Sequence, residues 1–129
     1  MKSLSISALS IVALAASGAF AQELPKTTER VVNISSALIP SGFDNSEPVA
    51  IVHGLYPNSC YSWNRADVTH PSATLHEVRA VANVSRGMCL MVMVPYAEEV
   101  PLGRFSAGQH TIRFVNGDGT YQEKALEVR

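Results

Sequence analysis

The chain has 129 residues, 47% of them hydrophobic and 16% charged, with eleven acidic against ten basic side chains. That is room for one domain and too little for two ordinary ones. The near-neutral balance argues against nucleic acid, which demands a surplus of Lys and Arg, and against a polybasic membrane patch.

Residues 1–21 read as a cleavable signal peptide. Met1 and Lys2 supply a short positive start, Leu4 to Ala16 an apolar run, and Ala19-Phe20-Ala21 a small-x-small cleavage site. The run falls short of the ~20 residues that cross a bilayer, so the expectation is export to the periplasm or beyond, without a stable membrane anchor. About 110 residues remain after cleavage, a size at which a covalent staple helps a marginal core.

Residues 22–29 are polar, contain Pro25 and read as a flexible lead-in to a domain over 30–129. Arg30 to Ser36 is β-branched and suits an edge strand. Ala37 to Pro48 carries two prolines, Gly42, Asp44 and Asn45, and reads as a loop. Val49 to Tyr56 is a strand, followed by a turn at Pro57-Asn58-Ser59. Tyr61 to Thr69 and Leu75 to Val84 are further strands, separated by His70-Pro71-Ser72. Arg86-Gly87 turns the chain into Met88 to Val94, read as an apolar strand. Glu98 to Leu102 is a short edge segment. Gln109 to Asn116 and Thr120 to Val128 form a closing hairpin around Asn116-Gly117-Asp118-Gly119, whose glycines can supply positive φ. His110, Ile112 and Phe114 share one face of its first strand, and Leu126 and Val128 join the same core from the second. About seven short strands at turn-marked intervals, with no sustained helical period, indicate an all-β sandwich.

Cys60 and Cys89 are the two cysteines. In an exported chain they read as one structural disulfide, which closes a loop of about 30 residues and contributes roughly 3–4 kcal/mol.

Met88 to Val94 (MCLMVMV) is apolar at odd and even positions alike, whereas a sandwich strand normally hides one face and wets the other. One face can fill the core. The other, with Cys89, Met91 and Met93, needs a cover: the Ala37–Pro48 loop with Phe43, or a partner. Met91 and Met93 are therefore the candidate partner surface. Arg86 before the run and Glu98-Glu99 after it suit gatekeeping against aggregation. The same three sulfurs suggest Cu(I), but a disulfide removes Cys89 as a ligand and methionine is a common core filler.

Two stretches resemble known families. Gly54 to Cys60 resembles the G-x-x-P-x-x-C segment of small exported bacterial domains of unknown role. Leu102 to Ile112 looks like the L-x-x-G-x-Y-x-V lead-in to a late strand of immunoglobulin-like and fibronectin-type domains. Two departures stand out: His110 takes the place of the corner tyrosine, and Trp63 follows Cys60 by only three residues. The resemblance implies a single immunoglobulin-like antiparallel β-sandwich without antibody-type topology, and no activity.

For chemistry the signal is negative. No G-x-S-x-G elbow is present. His53, His70, His76 and His110 are dispersed and read as isolated surface or core residues. Glu98 and Glu99 are adjacent and point to opposite faces of a strand, unlike an acid/base pair. The expectation is therefore no interlocked catalytic trio, no enzyme activity, no cofactor and no metal. The chain reads as an exported module that touches an unidentified protein or itself, or that serves as a structural component of the envelope. A secreted inhibitor or accessory of an enzyme, offering the rigid loops Pro57–Ser59 or Asn116–Gly119, is the alternative. A copper protein or hydrolase has less behind it.

Overall fold

A computed structural model describes residues 27–40 and 45–129. Residues 1–21, read above as a signal peptide, residues 22–26 of the expected lead-in and Phe43 lie outside the described residues. The elements are β1 (Thr27–Val32), β2 (Ser36–Leu38), β3 (Val49–Tyr56), β4 (Tyr61–Thr69), β5 (Leu75–Ser85), β6 (Val94–Pro101), β7 (Gly108–Val115) and β8 (Tyr121–Val128). No helix occurs among the described residues, so none there is long and apolar enough to cross a membrane.

The strands form two sheets. One holds β1, β4, β5, β7 and β8; the other runs β2-β3-β6. Eleven-residue β5 organises the larger sheet. β4 lines it antiparallel from Thr69↔Glu77 to Tyr61↔Val84, with a bulge between Trp63 and Arg65. Beyond this pairing, the C-terminal part of β5 joins β1 antiparallel and its N-terminal part joins β7 parallel, Leu75↔Thr111 to Val78↔Phe114. That parallel pair departs from the antiparallel sandwich expected. It arises because the chain leaves β5, crosses to the other sheet as β6 and returns as β7, a crossover that no hairpin can make.

Alternation builds the core. Ala50, Val52 and Tyr56 of β3 and Tyr96 and Val100 of β6 face Val78, Ala80 and Ala82 of β5, Ile112 and Phe114 of β7, and Leu126 and Val128 of β8. Burying each larger apolar side chain stabilises the fold by about 1.5–3 kcal/mol. A Cβ on Gly54 would collide with the hydroxyl-bearing edge of the Tyr96 ring, whose hydroxyl donates to Asn33 O at 2.7 Å.

The closing hairpin forms as expected, with Asn116 N donating to Thr120 O at 2.8 Å. Its two glycines do different work. Gly119 takes a positive φ of 88°, while Gly117 makes room: a Cβ there would meet Val31 O at 2.5 Å.

Three sequence expectations are corrected. Thr27 to Glu29, placed in the flexible lead-in, are the first half of β1, paired with Ser85, Val84 and Asn83. Ser36 to Leu38 forms a short strand beside β3 where the edge strand's end and a loop were expected. Most consequential, Met88 to Met93 is no strand; β6 begins at Val94 and absorbs the Glu98–Leu102 segment up to Pro101. The reason is a missing neighbour. β3 pairs with β6 from Val49↔Pro101 to Tyr56↔Val94, and Pro57 ends β3 there, so residues before Val94 find no ladder to join.

Candidate functional site

Two regions carry unusual chemistry, at opposite ends of β5. Ser85 at one end donates to Cys60 O at 2.9 Å, and His76 stands near the other, roughly 30 Å away along an extended strand.

At the first end, the β3–β4 turn (57–60) and the β5–β6 loop (86–93) are fastened together. Cys60 and Cys89 form the expected disulfide, Cα to Cα 5.3 Å. Leu90 N donates to Ser59 Oγ at 2.7 Å, and Ser59 N donates to Leu90 O at 3.1 Å. Asn58 Oδ1 accepts from Cys60 N at 2.9 Å and shapes the turn. The loop is thus a fastened finger. Its side chains are in water: Met88, Leu90, Met91, Val92 and Met93 are all exposed, Met91 at 82% and Met93 at 66%. Neither set of alternate residues fills the core, so the expectation of one buried and one covered face is corrected. Met91 and Met93 do lie on the surface. The copper arrangement on one strand face is corrected too, since no such strand exists and Cys89 is bonded to Cys60.

A groove of about 350 Å³ runs from the finger's base, lined in part by Arg30, Val31, Leu55, Pro57, Tyr61 and Met93. Behind Tyr61 lies an aromatic stack. Tyr56 packs on Tyr61 at 5.9 Å and on Tyr96 at 4.6 Å, and Trp63 tilts against Tyr96 at 6.0 Å. Burial, then the nearby Glu98, raise the Tyr56 hydroxyl; burial and Tyr56 raise Tyr96 further. The Tyr56 hydroxyl is buried and unbonded within the described residues. Glu98 is half-buried and Glu99 exposed, so the two carboxylates diverge as expected.

At the second end, three of the four histidines meet. The expectation of isolated histidines, and of no interlocked trio, is corrected. His76 occupies a core position of β5, in the row of Val78, Ala80 and Ala82, and His110 occupies one of β7, in the row of Ile112 and Phe114. Parallel pairing of β5 with β7 sets His76 opposite Ile112, two residues from His110. His76 Nε2 lies 2.8 Å from His110 Nδ1, His110 Nε2 lies 2.7 Å from Ser106 O, and His70 Nδ1 lies 2.6 Å from His76 Nδ1. Phe105 stacks on His76 at 3.8 Å and on His110 at 4.9 Å. His70, just after β4, is the exposed member; His53 sits apart on the outer face of β3.

The bonding fixes the tautomers. Ser106 O can only accept, so His110 Nε2 carries the hydrogen. With the hydrogen of its ring on Nε2, His110 accepts at Nδ1 from His76 Nε2–H, which leaves His76 Nδ1 as a lone pair turned to His70. Burial, reinforced by the charges His70 and His110 can carry, pushes His76 down to about 4, so it stays neutral. The trio holds no hydroxyl or thiol nucleophile.

Two ion-pair clusters lie on the larger sheet, and a further pair, Arg104 with Glu47, joins two loops. Arg65 bridges Glu29 and Asp67, and Arg113 bridges Glu77 and Glu123. Among the described residues no group of three or more His, Cys, Asp or Glu forms a ready metal cluster.

These features define a two-sheet β-sandwich, cross-linked at one end and holding a buried histidine row at the other. Over residues 50–128 the chain matches the ORF11 beta-sandwich domain and belongs to that family. The match runs from the second residue of β3 to the end of β8 and includes both the finger and the histidines. No curated protein and no solved structure matches the chain.

Proposed function

We propose that this chain is an exported, non-enzymatic module that works by protein contact, with the finger at Met88–Met93 as its anchor. The observation that carries the reading is a run of apolar side chains exposed on both sides of a loop that a disulfide and two Ser59–Leu90 hydrogen bonds hold in place. Loose apolar loops fold back onto the core; this one is fastened outward. A pre-organised anchor avoids the ordering entropy that weakens a flexible one, and methionine adapts its shape to a partner's pocket. The groove beneath, and the exposed Leu55 beside it, extend the apolar surface.

Export is supported by the Ala19-Phe20-Ala21 leader and by the disulfide, which persists in oxidising compartments such as the bacterial periplasm. The immunoglobulin-like reading draws support from His110, whose ring takes an upstream backbone carbonyl much as a corner tyrosine would. A second reading, an inhibitor or accessory of an enzyme, is favoured by the locking of Ser59 to the finger, which makes the pair a rigid wedge.

A photo-crosslinker at Met91, expressed with the protein in its own envelope, tests the contact. A discrete adduct at Met91 that is missing from the same probe at Lys124 supports the reading. Equal or absent adducts from both positions overturn it.

A further inference from the structure

The geometry points to the His70–His76 pair as a binding site for a borderline divalent transition cation of the zinc class, with His110 and Ser106 as its supporting shell. A metal-binding imidazole needs three things: a bare ring nitrogen, a fixed tautomer and an approach from solvent. His76 has the first two, because its Nε2–H is committed to His110 Nδ1 at 2.8 Å and His110 is committed to Ser106 O at 2.7 Å. Ligating histidines are characteristically oriented in this way, by an acceptor for the other ring nitrogen. Phe105, stacked on both buried rings, holds their planes. His70 supplies the third: it is exposed, and its own Nδ1 faces the His76 lone pair at 2.6 Å.

A hydrogen now sits between those two nitrogens. Zinc–nitrogen bonds of about 2.0–2.1 Å put two ligands of a tetrahedral ion about 3.3 Å apart, so the nitrogens must part by less than about 1 Å. His70 can yield that much, since it lies between the last residue of β4 and the Pro71 bend while His76 is held inside the sheet. On binding, the ion accepts one lone pair from each Nδ1. The hydrogen that His70 carried at Nδ1 moves to its Nε2 through solvent, so the pair takes up the cation with no net proton release. The protein supplies two ligands and solvent the others. Imidazole nitrogen favours zinc, copper or nickel over magnesium or calcium.

The test is isothermal titration of the full, chelator-stripped chain with zinc chloride, alongside His70→Ala and His53→Ala variants and a magnesium control. The expected result is uptake of one zinc ion, at least tenfold weaker binding in His70→Ala, unchanged binding in His53→Ala and no magnesium binding. Histidine ring ¹⁵N spectra should show the Nδ1 signals of His70 and His76 moving together, with the Nε2–H of His110 kept. The site is refuted by no uptake at about 100 µM zinc, where a useful site would be filled, by equal affinity in His70→Ala, or by ring shifts confined to His53.

Discussion

The two ends of the sandwich invert the ordinary rule of burial in opposite senses. At the finger, five apolar side chains stand in water; at the histidine end, two polar rings sit in the core. Apolar groups normally go inside and polar ones outside. Each inversion is held by directional bonds where the hydrophobic effect gives no help. A disulfide and two hydrogen bonds to Ser59 fasten the finger, and a one-way hydrogen-bond chain ending on Ser106 O satisfies the rings. The apolar exposure of the finger is unrelieved among the described residues. The histidine row is hydrogen-bonded within the chain from Ser106 O to His70, and it reaches the surface at His70.

Breaking the finger's fastening should have the largest effect. The Cys60→Ser, Cys89→Ser double variant should lose about 3–4 kcal/mol of stability by urea denaturation, the entropy of freeing its closed loop. An unchanged midpoint would mean that the cross-link holds the finger without holding the fold.

The histidine end should respond to acid instead. The unfolded His76 takes a proton near pH 6.5, whereas the folded one resists it to about 4. The stability this group contributes is therefore present above pH 6.5 and is lost as pH falls through that window, by up to about 3 kcal/mol. Urea melts at pH 7 and pH 4.5 in chelator-containing buffer measure the fall, and a His76→Phe variant should fall less than the parent protein. Equal slopes would remove His76 as the source.

Replacing His76 by Ala should cost about 2–3 kcal/mol at neutral pH. It vacates the space against Phe105 and strands His110 Nδ1 without its donor. Smallest of all is the effect of Met91→Asp on folding. An exposed position predicts a change within about 0.5 kcal/mol, while the adduct formed by a photo-crosslinker placed at neighbouring Met93 should vanish from a chain carrying Met91→Asp. A collapse of the fold would instead place Met91 in the core.

Much of the sandwich was legible in the residues. Val49–Tyr56 and Tyr61–Thr69 have the bounds that their alternation and flanking turns indicate, and the closing hairpin follows from Asn-Gly-Asp-Gly. Cys60 and Cys89 pair, as the reading of two cysteines in a small chain expects. The Met88–Val94 reading failed for an instructive reason. Apolar, β-branched composition says that a segment can be a strand, but a strand also needs a neighbour offering unpaired backbone groups, and Pro57 ends that offer at Tyr56.

The class of fold, the staple and the core face of the closing hairpin follow from the residues alone, because these depend on period-two alternation, turn residues and the number of cysteines. The same alternation places His110 on a core face. That His70, His76 and His110 touch, and that the methionines form a finger, emerges only from the assembled fold. Both depend on which strands lie side by side. The parallel alignment of β5 with β7 joins residues 34 positions apart, and local pattern carries no information about a contact made across a crossover.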